Sequence, residues 1–186
     1  MTSIETEGFD LRALLPTDKD LILRWRNSDF VREHMFTPDP IDPSDHERWF
    51  ARVLAADPRL YGVLTHGGRD LGFVSFSRDD DEADVWTWGL YVGEPDAPRG
   101  SGSALGALAL RHAFTELTAS AVISEAMAAN DRAIRLYDRL GFRRAGTRVI
   151  TRSTPGTPED VTIFSRSRSA WAAGVSDADG YASADD

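Results

Sequence analysis

Apolar residues recur along this chain with two different periods, and the switches between them mark out its elements. Residues 9–15, FDLRALL, alternate as a half-buried strand does, and Pro16 ends the run. The period then lengthens. In TDKDLILRWRN (17–27), Thr17 with Asp20 three residues on predicts a helix start, followed by Leu21, Leu23 and Trp25. SDFVREHM (28–35) reads as a second short helical piece, closed by the proline-rich turn TPDPIDP. Ser44 and Glu47 have the spacing of a capping box, with Trp49, Phe50, Val53 and Leu54 at helical intervals behind them and a stop expected near Pro58.

Period two returns in RLYGVLTH (59–66) and DLGFVSFSR (70–78), and the Gly67-Gly68 pair between them signals a hairpin. After the acidic turn DDDEAD (79–84) comes VWTWGLYV (85–92), rich in aromatic and β-branched residues. A helical apolar stretch then runs from about 101 to 117, AVISEAM (121–127) reads as a strand, and NDRAIRLYDRLG (130–141) as a helix capped by Asn130 or Asp131 and stopped by Gly141. FRRAGTRVITR (142–152) and EDVTIFSRSR (159–168) complete seven strands, so an α/β domain is expected over residues 1–168. The last stretch, 169–186, is small, polar and acidic, which predicts a loosely ordered tail with Trp171 as its one docking side chain.

Composition narrows the chemistry. The 186 residues suit one domain with a substantial core. With no cysteine, disulfides, thiolate metal sites and cysteine nucleophiles are excluded. His34, His46, His66 and His112 are scattered, with no helical ligand pair, so no metal is expected. The net charge of −9 argues against nucleic acid as a partner. Part of that charge sits in the tail: residues before Ser169 hold 26 acids against 21 bases. No apolar run approaches the roughly 20 residues of a membrane span. The first residues, MTSIETEGFD, are unlike a secretory signal, and the expected location is the cytoplasm.

One stretch asks for a chemical explanation. PRGSGSALGALALRHAF (98–114) sets Gly100, Ser101, Gly102 and Ser103 at the mouth of a helix. Free N–H groups in a first helical turn favour an anion, and glycine lets it approach closely; an ordinary loop with Ser101 or Ser103 as N-cap is the simpler alternative. A dinucleotide fingerprint fits poorly. Leu105 stands where its third glycine belongs, and seven residues separate Val92 from Gly100. No G-K-[ST] phosphate loop and no G-x-S-x-G elbow occur.

Arg99-Gly100-Ser101-Gly102-Ser103-Ala104 resembles the [QR]-x-x-G-x-[GA] pyrophosphate loop of the GCN5-related N-acetyltransferases (GNAT). EAMAANDRAIRLYDRLGF (125–142) is similar to that family's fifth strand, asparagine-capped helix and LYxxxGF ending. The resemblance implies a mixed, mostly antiparallel seven-stranded sheet with helices on both faces and strands four and five splayed. It implies acetyl-CoA as cofactor, its pyrophosphate on Arg99 and the amides from Ser101 to Leu105. Its pantetheine arm would run along Leu90, Tyr91 and Val92, with Asn130 and Ala133 alongside. Tyr137 takes the general-acid position, protonating the departing thiolate, although its place in the stripe Ala133, Ile134, Tyr137, Leu140 also suits a core residue. Glu125 is the candidate base, directly or through water, with an exposed carboxylate paired to arginine as its plainer reading.

The acceptor is an amine, and the segment RWRNSDFVREHMFTPDPIDPSDHERWF (24–50) resembles the N-acetyltransferases that act on nucleotide-linked amino sugars in pseudaminic acid biosynthesis. That resemblance implies Arg26, His46, Ser77, Arg78 and Tyr91 around the nucleotide, and Ser75 and Glu125 at the sugar amine. Three departures stand out: the PDP turn at 38–40 is inserted, Arg78 replaces an expected lysine, and the carboxy-terminal tail has no counterpart. A protein amino terminus or an aminoglycoside is the alternative acceptor, and an acetyl-CoA-binding sensor the non-enzymatic one. The last two strands are a candidate homodimer contact.

Overall fold

Seven strands share one sheet in the order β1-β2-β3-β4-β5-β7-β6. The computed structural model describes residues 4–78, 84–152, 156 and 158–177. In chain order these hold β1 (Phe9–Ala13), α1 (Lys19–Asn27), α2 (Asp29–Arg32), α3 (Pro43–Ala55), β2 (Tyr61–His66), β3 (Arg69–Arg78) and β4 (Val85–Val92). There follow α4 (Ser101–Thr115), β5 (Ala121–Met127), α5 (Asp131–Arg139), β6 (Arg143–Thr151), β7 (Pro158–Ser167) and α6 (Arg168–Ala172). Neighbouring strands are antiparallel except β4 and β5, which run parallel. The β2–β3 hairpin closes on Gly67 and Gly68, both at positive φ (56° and 77°), the backbone a tight two-residue hairpin turn demands.

Alternation along the strands sends side chains into two cores on opposite faces of the sheet. Leu64, Val74 and Phe76 join Trp88, Val122 and Phe164 under α4 and α5. Their neighbours Val63 and Phe73 point the other way, against Ile22 and Trp25 of α1 and Phe50 of α3. Helix α4 is apolar nearly all round and is buried accordingly, Leu105, Ala109 and Ala113 completely. It meets α5 where a Cβ on Gly106 would lie 2.6 Å from Leu140, so the missing side chain sets that close approach.

Helix starts differ from the sequence expectation in two places. Thr17 is exposed and caps nothing; a 3-10 turn over Pro16–Asp18 comes first, and α1 opens behind it. The turn is organised by buried Asp18, whose carboxylate takes the Leu15 N–H (2.8 Å) and two N–H groups of Arg12 (2.7 and 2.9 Å). Ser44 and Glu47 do not form the expected box. Asp42 caps α3 through the Ser44 N–H (2.8 Å), because Pro43, with φ already helical and no N–H to satisfy, takes the first helical position and moves the start back.

The chain does not leave the body at residue 168. Trp171 of α6 packs on Phe114, ring centroids 5.1 Å apart, and Asp177 accepts from Arg166 Nη1 (2.9 Å), Ser167 N (3.0 Å) and Ser167 Oγ (2.5 Å). The guanidinium of Arg166 is wholly buried, so this carboxylate is its counter-charge. Residues 79–83 of the expected acidic turn 79–84, and the tail beyond 177, lie outside the described residues.

Candidate active site

Strands β4 and β5 pair only at Val85↔Ala121, Trp86↔Val122 and Thr87↔Ile123. Beyond those three pairs β4 stays zipped to β3 as far as Val92, and β5 to β7 as far as Met127, so the two strands part. Half the backbone groups of β4 from Trp88 onward therefore face a gap instead of a strand, and an extended chain can pair with them. The gap opens into a cavity of about 730 Å³ that Trp88, Gly89, Leu90, Tyr91 and Val92 line from one side and Glu125 and Ala126 from the other.

At one end of the cavity stands the start of α4. Gly100 is its N-cap at φ 94°, a conformation that L side chains rarely adopt, and Gly100, Gly102 and Ser103 line the wall. The Ser101 N–H and hydroxyl both turn back to Pro98 O (3.2 and 2.7 Å), and the Ala104 N–H bonds to Gly100 O (2.9 Å). Ala104 and Leu105 are core residues with no exposed surface. The amides that helix geometry leaves free are thus those of Gly102 and Ser103, a shorter row than the Ser101 to Leu105 expected from sequence. Arg99 lines a smaller neighbouring cavity of about 180 Å³, together with Gly100, Ser101, Gly102 and Arg132.

Helix α5 borders the same end. Asn130 caps it by accepting the Ala133 N–H through Oδ1 (3.0 Å), and both residues line the cavity. Sequence reading overlooked its basic face. Arg132, Arg135 and Arg139 line the cavity too, and Arg139 Nη1 donates to Ser103 Oγ (2.6 Å). Their spacing of three and four residues behind an asparagine cap was the available signal. The donor set of Gly102 N–H, Ser103 N–H and these guanidiniums matches a diphosphate.

Tyr137 sits between the two ends. Its ring packs on Phe142 and Phe164 (5.4 and 4.8 Å), and it lines the cavity while remaining 6% exposed. Burial pushes its phenol above the ordinary value. The Ser124 hydroxyl and Trp88 indole N–H are buried and close no hydrogen bond. Tyr137 is thus both a core residue and a cavity residue, and it stays protonated at neutral pH.

The far end lies under the segment that joins β1 to β2. Phe30, Val31, Met35, Phe36 and Trp49 wall it, with Phe73, Ser75 and Tyr91 rising from the sheet. Ser75 Oγ reaches Gly89 O only at 3.5 Å. Burial also pushes the Tyr91 phenol up, partly offset by Arg26. Glu125 is here, but both its oxygens take Arg148 N–H groups (2.8 and 2.6 Å), and that guanidinium lies over the Phe36 ring (5.3 Å).

Of the five residues expected around a nucleotide, His46 lines the cavity but is buried and tied to backbone, while Ser77 and Arg78 lie outside it. His46 is 3% exposed at the cavity floor with Nε2 tied to Lys19 O (2.8 Å), because the buried face of α3 carries it inward. Ser77 and Arg78 lie at the far end of β3, outside the cavity: Ser77 faces Thr87 O (3.5 Å) and Arg78 covers Trp86 (5.1 Å). Arg26 and Tyr91 do line the cavity.

The acetyltransferase (GNAT) domain pattern matches residues 9–143, most of the chain. The protein belongs to the GNAT family. As a GNAT enzyme it is an N-acetyltransferase with acetyl-CoA as acyl donor, which the donor set at the α4 end fits. Among solved structures, a spermidine N-acetyltransferase from Vibrio cholerae in complex with CoA and spermine superposes with TM-score 0.76 at 19% identity, over 87% of this chain and 96% of that one. The aminoglycoside acetyltransferase AAC(6')-Ib, bound to ribostamycin and coenzyme A, gives 0.72 at 21%, over 92% and 99%. A ribosomal-protein-alanine N-acetyltransferase from Brucella melitensis gives 0.70 at 19%, over 85% and 99%. At these identities the likeness is one of fold. No curated protein matches the sequence. Among the described residues no helix is long and apolar enough to cross a membrane, and no group of three or more His, Asp or Glu could hold a metal ion.

Proposed function

We propose that this GNAT enzyme acetylates a primary amine, held at the aromatic end of the cavity, by direct attack within a ternary complex, and that the amine belongs to a nucleotide-linked sugar. The observation that carries the reading is the parting of β4 and β5, which makes one continuous cavity between the free amides of α4 and Glu125, with Tyr137 in its wall. Acetyl-CoA, when bound, supplies the acyl group as an activated thioester. Gly102 and Ser103 donate to the diphosphate, the arginine face of α5 neutralises it, and the unpaired edge of β4 orients the arm.

Tyr137 gives its proton to the leaving sulfur. Its raised pKa guarantees that the proton is there to give, so catalysis rests on position more than on acidity. Glu125 retains lone pairs beyond those Arg148 occupies and accepts a hydrogen bond from the attacking amine, whose proton passes to it or through it to water. Ser75 offers a hydroxyl in the same cavity. Arg26 and Tyr91 provide a guanidinium for phosphate oxygens and an aromatic face for a base. The test is thiol release from acetyl-CoA with a UDP-linked amino sugar, a peptide amine and an aminoglycoside. Release with the first alone supports the acceptor assignment, release with either of the others alone replaces it, and no release with any amine overturns acetyl transfer.

A further inference from the structure

Two buried donors stand where the strands part, and neither the fold nor the chemistry above uses them. Trp88 and Ser124 are the first residues beyond the last β4–β5 pair, Thr87↔Ile123, and they are 4% and 1% exposed. Alternation turns both onto the α4–α5 face of the sheet: Trp88 joins that core, and Ser124 falls between Val122 and Ala126, which belong to it. Tyr137 shares their neighbours. Trp88 packs on Phe142 (5.4 Å), as Tyr137 does, and Ser124 is the register partner of Phe164, on whose ring Tyr137 also packs. The indole N–H and the hydroxyl close no hydrogen bond while the phenol is protonated. Burial pushes that phenol up, yet both stand near enough to draw it part of the way back. Orphaned donors in a core are costly, and an indole N–H can only donate, so what it waits for is an acceptor.

Proton transfer creates one. A phenol ordinarily titrates near 10 and a thiol near 8.5, so passing a proton from Tyr137 to a leaving sulfur is uphill by about thirtyfold before burial adds to it. Tyr137 Oη gives its proton to the sulfur that keeps the electron pair when the C–S bond breaks, and one negative charge passes from sulfur to the phenolate oxygen. The phenol is restored by the proton that the amine releases. We infer that the Trp88 indole N–H and the Ser124 hydroxyl are positioning donors that close on the Tyr137 oxygen as this charge forms. Hydrogen bonds to an ionised acceptor are about twice as strong as neutral ones, so both donors favour the phenolate over the phenol without having to be brought into place. The inference rests on the reading of Tyr137 as the acid, and goes past it by naming the groups that let a buried phenol act as one.

Two measurements test it. In the unliganded full chain Tyr137 is titrated by NMR of tyrosine carrying carbon-13 at Cζ, its signal assigned by its loss in Tyr137→Phe. Ser124→Ala and Trp88→Phe each move that midpoint upward by about one pH unit. In thiol-release assays each lowers kcat about tenfold, while calorimetry finds the dissociation constant for acetyl-CoA within about twofold of wild type. In the Tyr137→Phe background, where no phenolate forms, each changes kcat less than about twofold. Should Trp88→Phe lose acetyl-CoA affinity through its smaller ring, Ser124→Ala decides alone. An unmoved midpoint, or an equal loss of kcat with and without the phenol, overturns the inference and leaves the two residues as packing. Wild-type turnover in Tyr137→Phe instead sinks the acid reading, and the inference falls with it; a slow Tyr137→Phe with unmoved midpoints sinks the inference alone.

Discussion

The two ends of the cavity are made of different material. The α4 end is framed by main chain, with the N–H groups of Gly102 and Ser103, the left-handed turn at Gly100 and the unpaired edge of β4, and the arginines of α5 stand beside it. The acceptor end is built from side chains carried by α1, α2, α3, the loop between the last two and the sheet beneath them, with Arg26 in no ion pair among the described residues and Glu125 clasped by Arg148 from β6. Backbone donors set by secondary structure suit a group that never changes. Side chains on short helices and a loop can be exchanged without touching the sheet, which is how one scaffold takes different amines.

The largest effect belongs where the two ends meet. Tyr137→Phe keeps the ring packing on Phe142 and Phe164 and removes only the proton donor. Turnover falls about 10²-fold, while the KM for acetyl-CoA stays within about twofold. Because burial raises the phenol, the wild-type kcat has no descending limb from this group below about pH 10, its ordinary value. The linkage has the same sign. A folded-state pKa above the unfolded one stabilises the fold fully below about pH 10, and that share is lost as pH rises through the folded value. Unchanged turnover in the phenylalanine variant would leave Tyr137 as packing alone.

A smaller effect is expected at the main-chain end. Gly100 has open space where a Cβ would go, so Gly100→Ala acts through its φ of 94° and not through a clash. Holding alanine there costs about 1–2 kcal/mol, and relaxing it turns the first amides of α4. The dissociation constant for acetyl-CoA, measured by calorimetry, rises about fivefold to tenfold, with acceptor KM unmoved. If acceptor KM moves instead, the division between the two ends is wrong.

That division also explains what could be read from sequence. Gly100, Gly102, Asn130 and Gly141 are residues whose types follow from local backbone need, and seven strands with their α4 and α5 connections follow from period and punctuation. The row of free α4 amides is shorter than the pattern suggests, since no pattern tells that Ser101 folds back on Pro98. At the acceptor end the deciding facts are long-range. Arg148 meets Glu125 across 23 positions through the β6–β7–β5 pairing, His46 turns into the core because Asp42 and Pro43 set the phase of α3, and Arg78 finds Trp86 on the next strand. Charge counting along 24–50 could not tell that, of its arginines, Arg26 alone lines the cavity, while Arg24, Arg32 and Arg48 pair with carboxylates elsewhere.

The Glu125–Arg148 pair gives the finest test of the comparison. Both side chains are partly open to solvent, at 23% and 42%, so Glu125→Gln costs under about 1 kcal/mol of stability. The amide keeps the shape of the carboxylate and one acceptor oxygen, but it loses the charge that holds Arg148 over Phe36. Acceptor KM then rises about threefold and kcat falls less than tenfold, because an ion-paired carboxylate orients the amine more than it deprotonates it. Arg148→Gln should raise acceptor KM to a similar degree while freeing Glu125. A fall in kcat beyond about 10²-fold in the first variant, with the second variant more active than wild type, would make Glu125 the proton acceptor in its own right and the arginine its restraint.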